Sequence, residues 1–228
     1  MGSAQERRSD PPGTSWEALA RSAMPTKANA GSITVRPLTA ELWPALEDLF
    51  GRSGASNGCW CMYWRIGGAY RDRPKDRNRA DLRSVVLRGP PPGLVAFDGD
   101  LAIGWCQVTP RSVLPYLDGF TRFGPLDPRP VWSVSCFFVR RGYRGRGISR
   151  ALLAEAIRLA REAGAPALEA YPSTKDPGWY TGLASTFVRA GFREVGGRGA
   201  DRPVMRRDLR SGSMKTPARK RGTGRASR

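Results

Sequence analysis

The chain has 228 residues, 40% of them apolar and 25% charged, which suits one well-packed domain with tails. Its longest apolar run, Cys59–Trp64, is far too short to span a bilayer, and the N-terminal residues lack the apolar segment of a signal peptide. The absence of histidine excludes histidine-based nucleophile systems, imidazole zinc sites and histidine general bases. Four cysteines without an export signal favour a reducing, cytoplasmic location.

Positive charge dominates the chain, whose formal net charge is +18. Residues 211–228 hold only basic charges, and we interpret them as a disordered basic tail. Residues 1–31 are rich in Gly, Ser, Pro and Ala and are predicted to be a disordered extension, with Met24 as an alternative natural start. Most of the surplus charge therefore lies in the predicted domain, residues 32–210. A basic body favours phosphate-bearing ligands such as a nucleotide cofactor or RNA, and the alternative is an arginine-rich solvated surface.

Strand and helix patterns alternate along residues 32–210. The first half predicts a strand at Ile33–Arg36, a helix at Glu41–Phe50 with Thr39 as N-cap, a helix at Lys75–Leu87, and a hairpin of strands Gly93–Phe97 and Leu101–Val108. The second half begins with a proline-rich loop over 109–130, which is predicted to contain a short helix. A strand at Val131–Val139, a helix at Gly147–Ala163 and a strand at Ala167–Tyr171 follow. A helix at Trp179–Ala190 then leads into a pair of strands, the first running from Gly191-Phe192 through Val195 and the second along Val204–Leu209.

The most informative segment is the turn R-G-R-G-I-S at residues 144–149, between an unbroken apolar strand and an amphipathic helix. Glycines let the backbone approach a ligand closely, and the first amides of a helix point outward with the positive end of the helix dipole behind them. The turn therefore predicts a phosphate or pyrophosphate site, although a simple solvated glycine turn would have the same local pattern. A dinucleotide fingerprint would need glycine in place of Arg150, and a Walker loop would need Gly-Lys-Ser/Thr.

This segment resembles the acyl-CoA signature R/Q-x-x-G-x-G/A of the GNAT superfamily of N-acyltransferases. Arg144, Gly147 and Ser149 stand at its defined positions, and Ser149 departs from the usual Gly or Ala while remaining small. A second similarity is A-S-T-F-V-R-A-G-F at Ala184–Phe192, which resembles the helix of this family that ends in Gly-Phe. The resemblance covers roughly residues 32–210.

The resemblance implies a mixed α/β (α+β) fold with a mostly antiparallel sheet of six to seven strands, splayed fourth and fifth strands and about four flanking helices. It also implies acetyl-CoA as cosubstrate, with pantetheine in the gap between the splayed strands and the pyrophosphate on the backbone amides of the turn. A backbone N–H of the splayed strand would stabilise the oxyanion. The implied cofactor-binding residues are Phe137, Phe138, Val139, Arg144, Gly145, Arg146, Gly147, Ile148 and Ser149.

Transfer to an amine needs a group that takes a proton from it. Glu169, on the short strand after the long helix, is the first candidate for the general base; Asp118 and a water chain are alternatives, as is a solvated or ion-paired role for Glu169. The family often places a tyrosine four residues before the glycine of Gly-Phe to protonate the thiolate, and this chain has Phe187 there. Tyr180 is the predicted substitute, with Tyr171 or water as alternatives.

Two further features involve cysteine and aromatic residues. Cys136 could be imagined as a covalent nucleophile, but without histidine to activate it a small core residue is the better interpretation. Cys59 and Cys61 flank Trp60, and zinc would need ligands beyond them from separate strands, so we predict no metal. Trp60, Tyr63 and Trp64 either line the acceptor site or pack the loop onto the sheet.

Three functions fit the sequence. The first is an N-acetyltransferase that moves an acetyl group from acetyl-CoA to a primary amine by direct attack in a ternary complex. The second is a basic nucleic-acid or ribosome-associated module, and the third is a non-catalytic acyl-CoA sensor, suggested by Phe187. The acceptor and the oligomeric state are left open, because acceptor loops vary within one fold.

Overall fold

Seven strands form one sheet in the computed structural model, which describes residues 33–120, 122–175, 180–197 and 201–209. The strands are β1 (Ile33–Pro37), β2 (Gly93–Asp98), β3 (Leu101–Pro110), β4 (Trp132–Val139), β5 (Ala167–Ala170), β6 (Arg193–Gly196) and β7 (Val204–Asp208). Their order is β1-β2-β3-β4-β5-β7-β6; β4 and β5 are parallel, and the other neighbouring pairs are antiparallel. The predicted mixed, mostly antiparallel sheet is therefore confirmed. The predicted tails, residues 1–31 and 211–228, with the proposed start at Met24, lie outside the described residues.

Five α-helices accompany the sheet within the described residues. They are α1 (Trp43–Phe50), α2 (Tyr63–Ile66), α3 (Lys75–Arg88), α4 (Ile148–Glu162) and α5 (Ala184–Arg189). The sequence predicted about four, and the additional one is the short α2. In this part of the chain, no helix is both long and apolar enough to cross a membrane.

Two helix starts differ from the prediction. The segment predicted as a helix from Glu41 begins as a 3-10 turn, and α1 starts at Trp43. Pro44 is tolerated in the first turn of α1, because a residue there needs no N–H donor for the helix. The last helix was predicted from Trp179, which lies outside the described residues, and α5 starts only at Ala184. Tyr180 has a left-handed φ of +57° and Leu183 is extended, so neither can continue a helix.

The two faces of the sheet bury different helices. On one face, α4 packs its apolar side against β2 and β3 through residues such as Ile148 and Leu152, and the ring of Phe187 on α5 is fully buried beside it. On the other face, α1, α3 and the aromatic segment near Trp60 cover Trp105 of β3. Each fully buried large apolar side chain contributes about 1.5–3 kcal/mol, so both layers hold the sheet in place.

β4 separates from β5 along its second half. The parallel ladder contains only three pairs and ends at Val134 opposite Ala170, while β4 continues beside β3 to Val139. A β-bulge lies at the point of separation. Gln107 of β3 is opposite Cys136 and Val108 is opposite Val134, so Ser135 of β4 has no opposite residue on β3. Bulges bend a strand and redirect its side chains. The splayed fourth and fifth strands predicted from the sequence are therefore confirmed.

Candidate functional site

The glycine turn follows β4 directly and starts the longest helix of the domain. Gly145 and Gly147 have φ values of +78° and +81°, a region that side-chain-bearing residues rarely adopt, and Gly147 is the N-cap residue of α4. A Cβ added at Gly145 would meet nothing within 4 Å, and one at Gly147 only a guanidinium nitrogen of Arg150 at 3.8 Å. The two glycines are therefore required by backbone conformation, and open space lies in front of them.

The backbone N–H groups of this turn are available to bind a ligand. Within the described residues, none of the backbone N–H groups from Gly145 to Ser149 donates a hydrogen bond to another backbone group. Ile148 is buried and anchors the start of α4, whereas Gly145, Arg146 and Gly147 are exposed. Five N–H donors without a backbone acceptor, at the positive end of a 15-residue helix, fit an anion of diphosphate size. The residues present at this turn therefore fit the pyrophosphate of an acyl-CoA.

The splayed half of β4 turns backbone groups toward the gap. Hydrogen bonding alternates along an antiparallel pair, and the Arg140 N–H donates to the Ile103 carbonyl of β3. Phe138 consequently bonds to β3, whereas Phe137 and Val139 direct their N–H and C=O groups toward β5. Of the three predicted strand residues, Phe137 and Val139 thus have the backbone orientation that pairing with pantetheine requires.

Two contacts link this part of β4 to its surroundings. The Arg144 Nε donates to the Val139 carbonyl at 3.2 Å, which ties the glycine turn to the strand. The Phe137 N–H donates to the Tyr180 carbonyl at 2.5 Å, so the segment before α5 crosses the gap between β4 and β5. The structure thus brings Tyr180 beside the predicted cofactor residues.

Phe187, at the position where the family often has a tyrosine, lies in the core. Its ring packs between the rings of Phe137 and Phe192, with centroid distances of 6.0 Å and 5.2 Å.

A cavity of about 730 Å³ opens next to the bulge of β4. Its described lining comprises Ala55, Ser56, Cys59, Cys61, Tyr63, Trp64, Arg71, Phe120, Arg122, Phe123, Ser135, Cys136, Ser173, Lys175, Tyr180, Asp201 and Arg202. The volume lies in the range of small-molecule sites, and the mixture of aromatic walls with a few charged groups is typical of them. Tyr180 connects this cavity with the gap in the sheet, because it lines the cavity and bonds to Phe137.

The aromatic segment contributes to both of the roles considered from the sequence. Tyr63 and Trp64 line the cavity, and the Trp64 Nε1 donates to the Ser135 carbonyl at 2.9 Å, which holds the bulge. Trp60 instead is buried against Trp43 and Phe50 in the core. Trp60 thus packs the loop onto the core, whereas Tyr63 and Trp64 line a cavity, and their role toward an acceptor stays a prediction.

Three thiols lie along the same wall. The Cys61 Sγ is 3.8 Å from the Cys136 Sγ and accepts a hydrogen bond from the Trp105 Nε1 at 3.1 Å. The hydrogen bond with Cys136 and burial raise the pKa of Cys61, and burial raises the pKa of Cys59 to about 11. These two groups are therefore neutral thiols near pH 7. Among the described residues, no group of three or more side chains is arranged to hold a metal ion.

Glu169, the predicted general base, does not line the large cavity. Its carboxylate is 2% exposed, accepts hydrogen bonds from the Arg206 Nη2 at 2.6 Å and Nε at 2.9 Å, and lies 3.5 Å from an Arg111 guanidinium nitrogen. Asp118 pairs with the same Arg111 at 2.6 Å, and both carboxylates line a separate cavity of about 280 Å³. The structure does not bring Glu169 or Asp118 to the large cavity. The general-base role of Glu169 stays a prediction without geometric support, and the ion-paired alternative describes its contacts.

Tyr171, the other substitute acid considered, does not line the large cavity, although its ring packs behind two lining residues, Trp64 and Phe123. It is fully buried, and its hydroxyl accepts from the Arg111 Nη1 at 2.6 Å and donates to a Glu169 oxygen at 3.2 Å. Burial and the adjacent Glu169 charge raise the pKa of Tyr171 well above its usual value. Of the two tyrosines, only Tyr180 lines the cavity.

Sequence reasoning missed the charged part of the cavity wall. The charged residues come from four loops far apart in the chain, and no motif marks them: Arg71, Arg122, Lys175, and Asp201 with Arg202. The one available signal was the surplus of arginine in residues 32–210, which does not indicate position.

The fold is that of an α/β protein in which a strand leaves its parallel neighbour. A glycine turn with available N–H groups and a helix follow that strand. A family model described as the acetyltransferase (GNAT) family matches residues 58–178, more than half of the chain. The chain therefore belongs to the GNAT acetyltransferase family. A comparison with curated protein sequences finds no significant match.

Solved structures share this fold. A GNAT superfamily phosphinothricin acetyltransferase from Sinorhizobium meliloti, in complex with AcCoA, is 18% identical with a TM-score of 0.51, covering 79% of this chain and 90% of that one. An N-acetyltransferase from Staphylococcus aureus Mu50 is 17% identical with a TM-score of 0.50, covering 79% of this chain and 100% of that one. At these identities the likeness concerns the fold.

Proposed function

We propose that the protein transfers an acetyl group from acetyl-CoA to a primary amine by direct attack within a ternary complex. The observation that carries the proposal is the turn of available amides at residues 145–149, placed at the end of a strand whose neighbour has separated from it. Family membership and the acetyl-CoA complex of the Sinorhizobium meliloti structure support the same cosubstrate. We propose a cytoplasmic location for this activity, where thiols stay reduced.

Each part of the site has one task in this proposal. The amides from Gly145 to Ser149 bind the diphosphate, with Arg144 and Arg146 adding positive charge. Phe137 and Val139 present backbone groups that align the pantetheine arm. The Val139 N–H is the candidate for oxyanion stabilisation, because the Phe137 N–H already donates to the Tyr180 carbonyl. When bound, acetyl-CoA supplies an activated thioester. The large cavity holds the amine on the side of β4 where Ser135 and Cys136 face it.

The cavity itself favours a neutral amine. Four cationic side chains line it in the described residues, against one carboxylate, Asp201. Nearby positive charge lowers the pKa of a bound ammonium, so the amine loses its proton to water more readily than in solution. Attack therefore does not require a dedicated carboxylate base beside the amine. We propose Tyr180 as the group that donates a proton to the departing thiolate, because it lines the cavity and bonds to Phe137.

Acetyl-CoA binding and thiol release together test this function. At a ligand concentration of about 100 times Kd, acetyl-CoA should stabilise the protein by about 2.7 kcal/mol and raise the Tm by about 5 °C or more. Thiol release from acetyl-CoA should then depend on an added primary amine. Binding without thiol release across a broad amine panel would favour the acyl-CoA sensor. Absence of any Tm shift would contradict both functions and leave the nucleic-acid module.

Cys136 should be dispensable for transfer. We expect Cys136→Ser to keep amine-dependent thiol release within about threefold of the parent, because direct attack needs no acyl-cysteine and no histidine is available to activate the thiol. Cys59→Ser, another lining thiol that is not on β4, is the matched control. A loss of 100-fold or more that is confined to Cys136→Ser would contradict direct attack in favour of a covalent route.

A further inference from the structure

Two thiol groups in the wall of the large cavity are in contact with each other. The Cys61 Sγ lies 3.8 Å from the Cys136 Sγ, although the two residues are 75 positions apart in the chain. Cys61 is the donor of this contact, so its S–H is directed at the Cys136 sulfur. Both residues line the cavity, and Cys136 is the less buried of the two. A small molecule that enters the cavity therefore meets Cys136 with a second thiol directly behind it.

A buried polar network holds the two cysteines in register. The Gln107 Nε2 donates to the Cys61 carbonyl at 3.2 Å, and the Gln107 Oε1 accepts from the Ser135 Oγ at 2.8 Å. Ser135 directly precedes Cys136, and its carbonyl accepts from the Trp64 Nε1 at 2.9 Å. The Gln107 and Ser135 side chains are fully buried, so these bonds are shielded from water. The segment before α2 and the bulge of β4 therefore form one unit that keeps the thiols together.

The surroundings of Cys61 also fix its sulfur. Trp60 and Cys61 have φ values of +46° and +54°, and two consecutive residues with side chains rarely adopt this left-handed region. The Trp105 Nε1 donates to the Cys61 Sγ at 3.1 Å, which leaves the S–H directed at Cys136. Strained backbone of this kind persists only where the surrounding structure imposes it, and it is concentrated at functional positions. The position of the Cys61 sulfur is therefore imposed by contacts on several sides.

The other two cysteines provide a contrast. The Cys106 Sγ is buried in the core and donates to the carbonyl of the adjacent Gln107 at 3.8 Å, as an ordinary core thiol does. Cys59 lines the cavity, but it lies on the same loop as Cys61 rather than on β4. Cys61 and Cys136 are thus the pair of thiols in direct contact. They are already at van der Waals distance, so a bond between them needs only a small approach of the two sulfur atoms.

We propose that Cys61 and Cys136 form a redox site that a small hydroperoxide converts into a disulfide. The Cys136 sulfur attacks the terminal peroxide oxygen, the O–O bond breaks, and an alcohol, or water from hydrogen peroxide, leaves with the Cys136 proton. Cys136 is then a sulfenic acid. The Cys61 sulfur attacks the Cys136 sulfur, the S–O bond breaks, and water leaves with the Cys61 proton. The two sulfur atoms lose two electrons in total, and the peroxide gains them.

The chemistry of the pair fits a small oxidant and a reversible step. A hydroperoxide is small enough to reach Cys136 through the cavity of about 730 Å³ without displacing the aromatic wall. The S–H of Cys61 is already directed at Cys136, where the hydroxide of the sulfenic acid departs. A low-molecular-weight thiol reverses the reaction by two thiol–disulfide exchanges. The site goes beyond the proposed acetyl transfer, which needs no cysteine.

The test exposes the reduced, folded full chain to hydrogen peroxide and then unfolds it in urea with N-ethylmaleimide. Intact-mass measurement counts the labelled thiols. All four cysteines should be labelled before oxidation, two after oxidation, and four again after treatment with dithiothreitol. The oxidised protein should migrate as a monomer on a non-reducing gel, because the disulfide lies within one chain.

Single substitutions assign the pair. Cys61→Ser and Cys136→Ser should abolish the disulfide, whereas the matched controls Cys59→Ser and Cys106→Ser should form it as the parent does. Cys61→Ser should in addition accumulate a sulfenic acid on Cys136, detected as a dimedone adduct, because the second thiol is missing. Near-ultraviolet circular dichroism before oxidation checks that each variant is folded, and Cys61→Ala replaces Cys61→Ser if the serine variant does not fold.

Three results would overturn the proposal. The first is a folded parent that keeps four labelled thiols after peroxide treatment. The second is a disulfide that persists in Cys61→Ser or Cys136→Ser, since it would come from another pair. The third is a disulfide found only in dimers on the non-reducing gel, since it would join two chains rather than two sides of the cavity wall.

Discussion

Gly147→Asp is expected to weaken acetyl-CoA binding by more than 100-fold. The substitution places a carboxylate at the N-cap residue of α4, within the turn whose amides are available to a ligand. At about 5–6 Å and an effective dielectric constant of about 20, one added negative charge opposes a phosphate charge by about 3 kcal/mol. Calorimetric titration of the variant with acetyl-CoA measures the effect.

Backbone strain must be separated from charge in this experiment, because Gly147 has a φ of +81°. Gly164→Asp is the matched control: Gly164 has a φ of +76°, lies beyond the other end of α4, and also has open space around a built Cβ. Both variants should lose about 1–2 kcal/mol of unfolding free energy, whereas only Gly147→Asp should lose acetyl-CoA. Gly147→Ala, with strain and no charge, should fall between them. A folded Gly147→Asp protein that binds acetyl-CoA within threefold of the parent would contradict the site.

The turn to which we assign the cofactor could be located from the sequence because its signals are local. The glycine spacing of residues 144–149 and the apolar periodicity of α4 lie within one contiguous segment, and the structure places a left-handed glycine and a helix start there. The early end of the β4–β5 ladder was implied by the family resemblance and is seen in the register at Val134 and Ala170.

The large cavity, which we propose as the acceptor site, could not be predicted, because it depends on contacts between distant segments. The cavity brings together Arg71, Arg122 and Arg202 only once the loops before α3, before β4 and before β7 are folded over the sheet.

The start of α5 also depends on a contact between distant segments. The sequence from residue 179 has helical periodicity, but Tyr180 adopts a left-handed conformation while its carbonyl accepts from the Phe137 N–H across the gap. A tertiary hydrogen bond there overrides local propensity.

Glu169 shows most clearly that contacts between distant segments cannot be predicted from the local sequence. Alternation along β5 fixes which face of the sheet the side chain is on, but not what faces it there. Arg206 is its direct cross-strand partner on β7, and Arg111 approaches from the loop after β3. Two guanidinium groups from residues far away in sequence therefore turn a candidate base into the centre of a buried charge network, which Asp127 extends through Arg206.

Glu169→Gln is accordingly expected to act mainly on stability. The change removes the negative charge between Arg206, whose side chain is 3% exposed, and Arg111. Breaking one side of a buried ion pair costs about 3 kcal/mol or more, which corresponds to a Tm decrease of about 6–12 °C for a domain of this size. Urea unfolding of the full chain at pH 7, followed by fluorescence, measures the loss.

The matched control is Glu47→Gln, which removes a carboxylate 2.5 Å from Arg79 on a partly exposed surface and should cost less than about 1 kcal/mol. Amine-dependent thiol release, measured well below the Tm of each variant, then separates the two roles of Glu169. If the residue is structural, kcat per folded molecule should stay within tenfold of the parent while the unfolding free energy falls. An unchanged unfolding free energy with a kcat at least 100-fold lower would instead support Glu169 as the general base, because a purely structural role would lose stability.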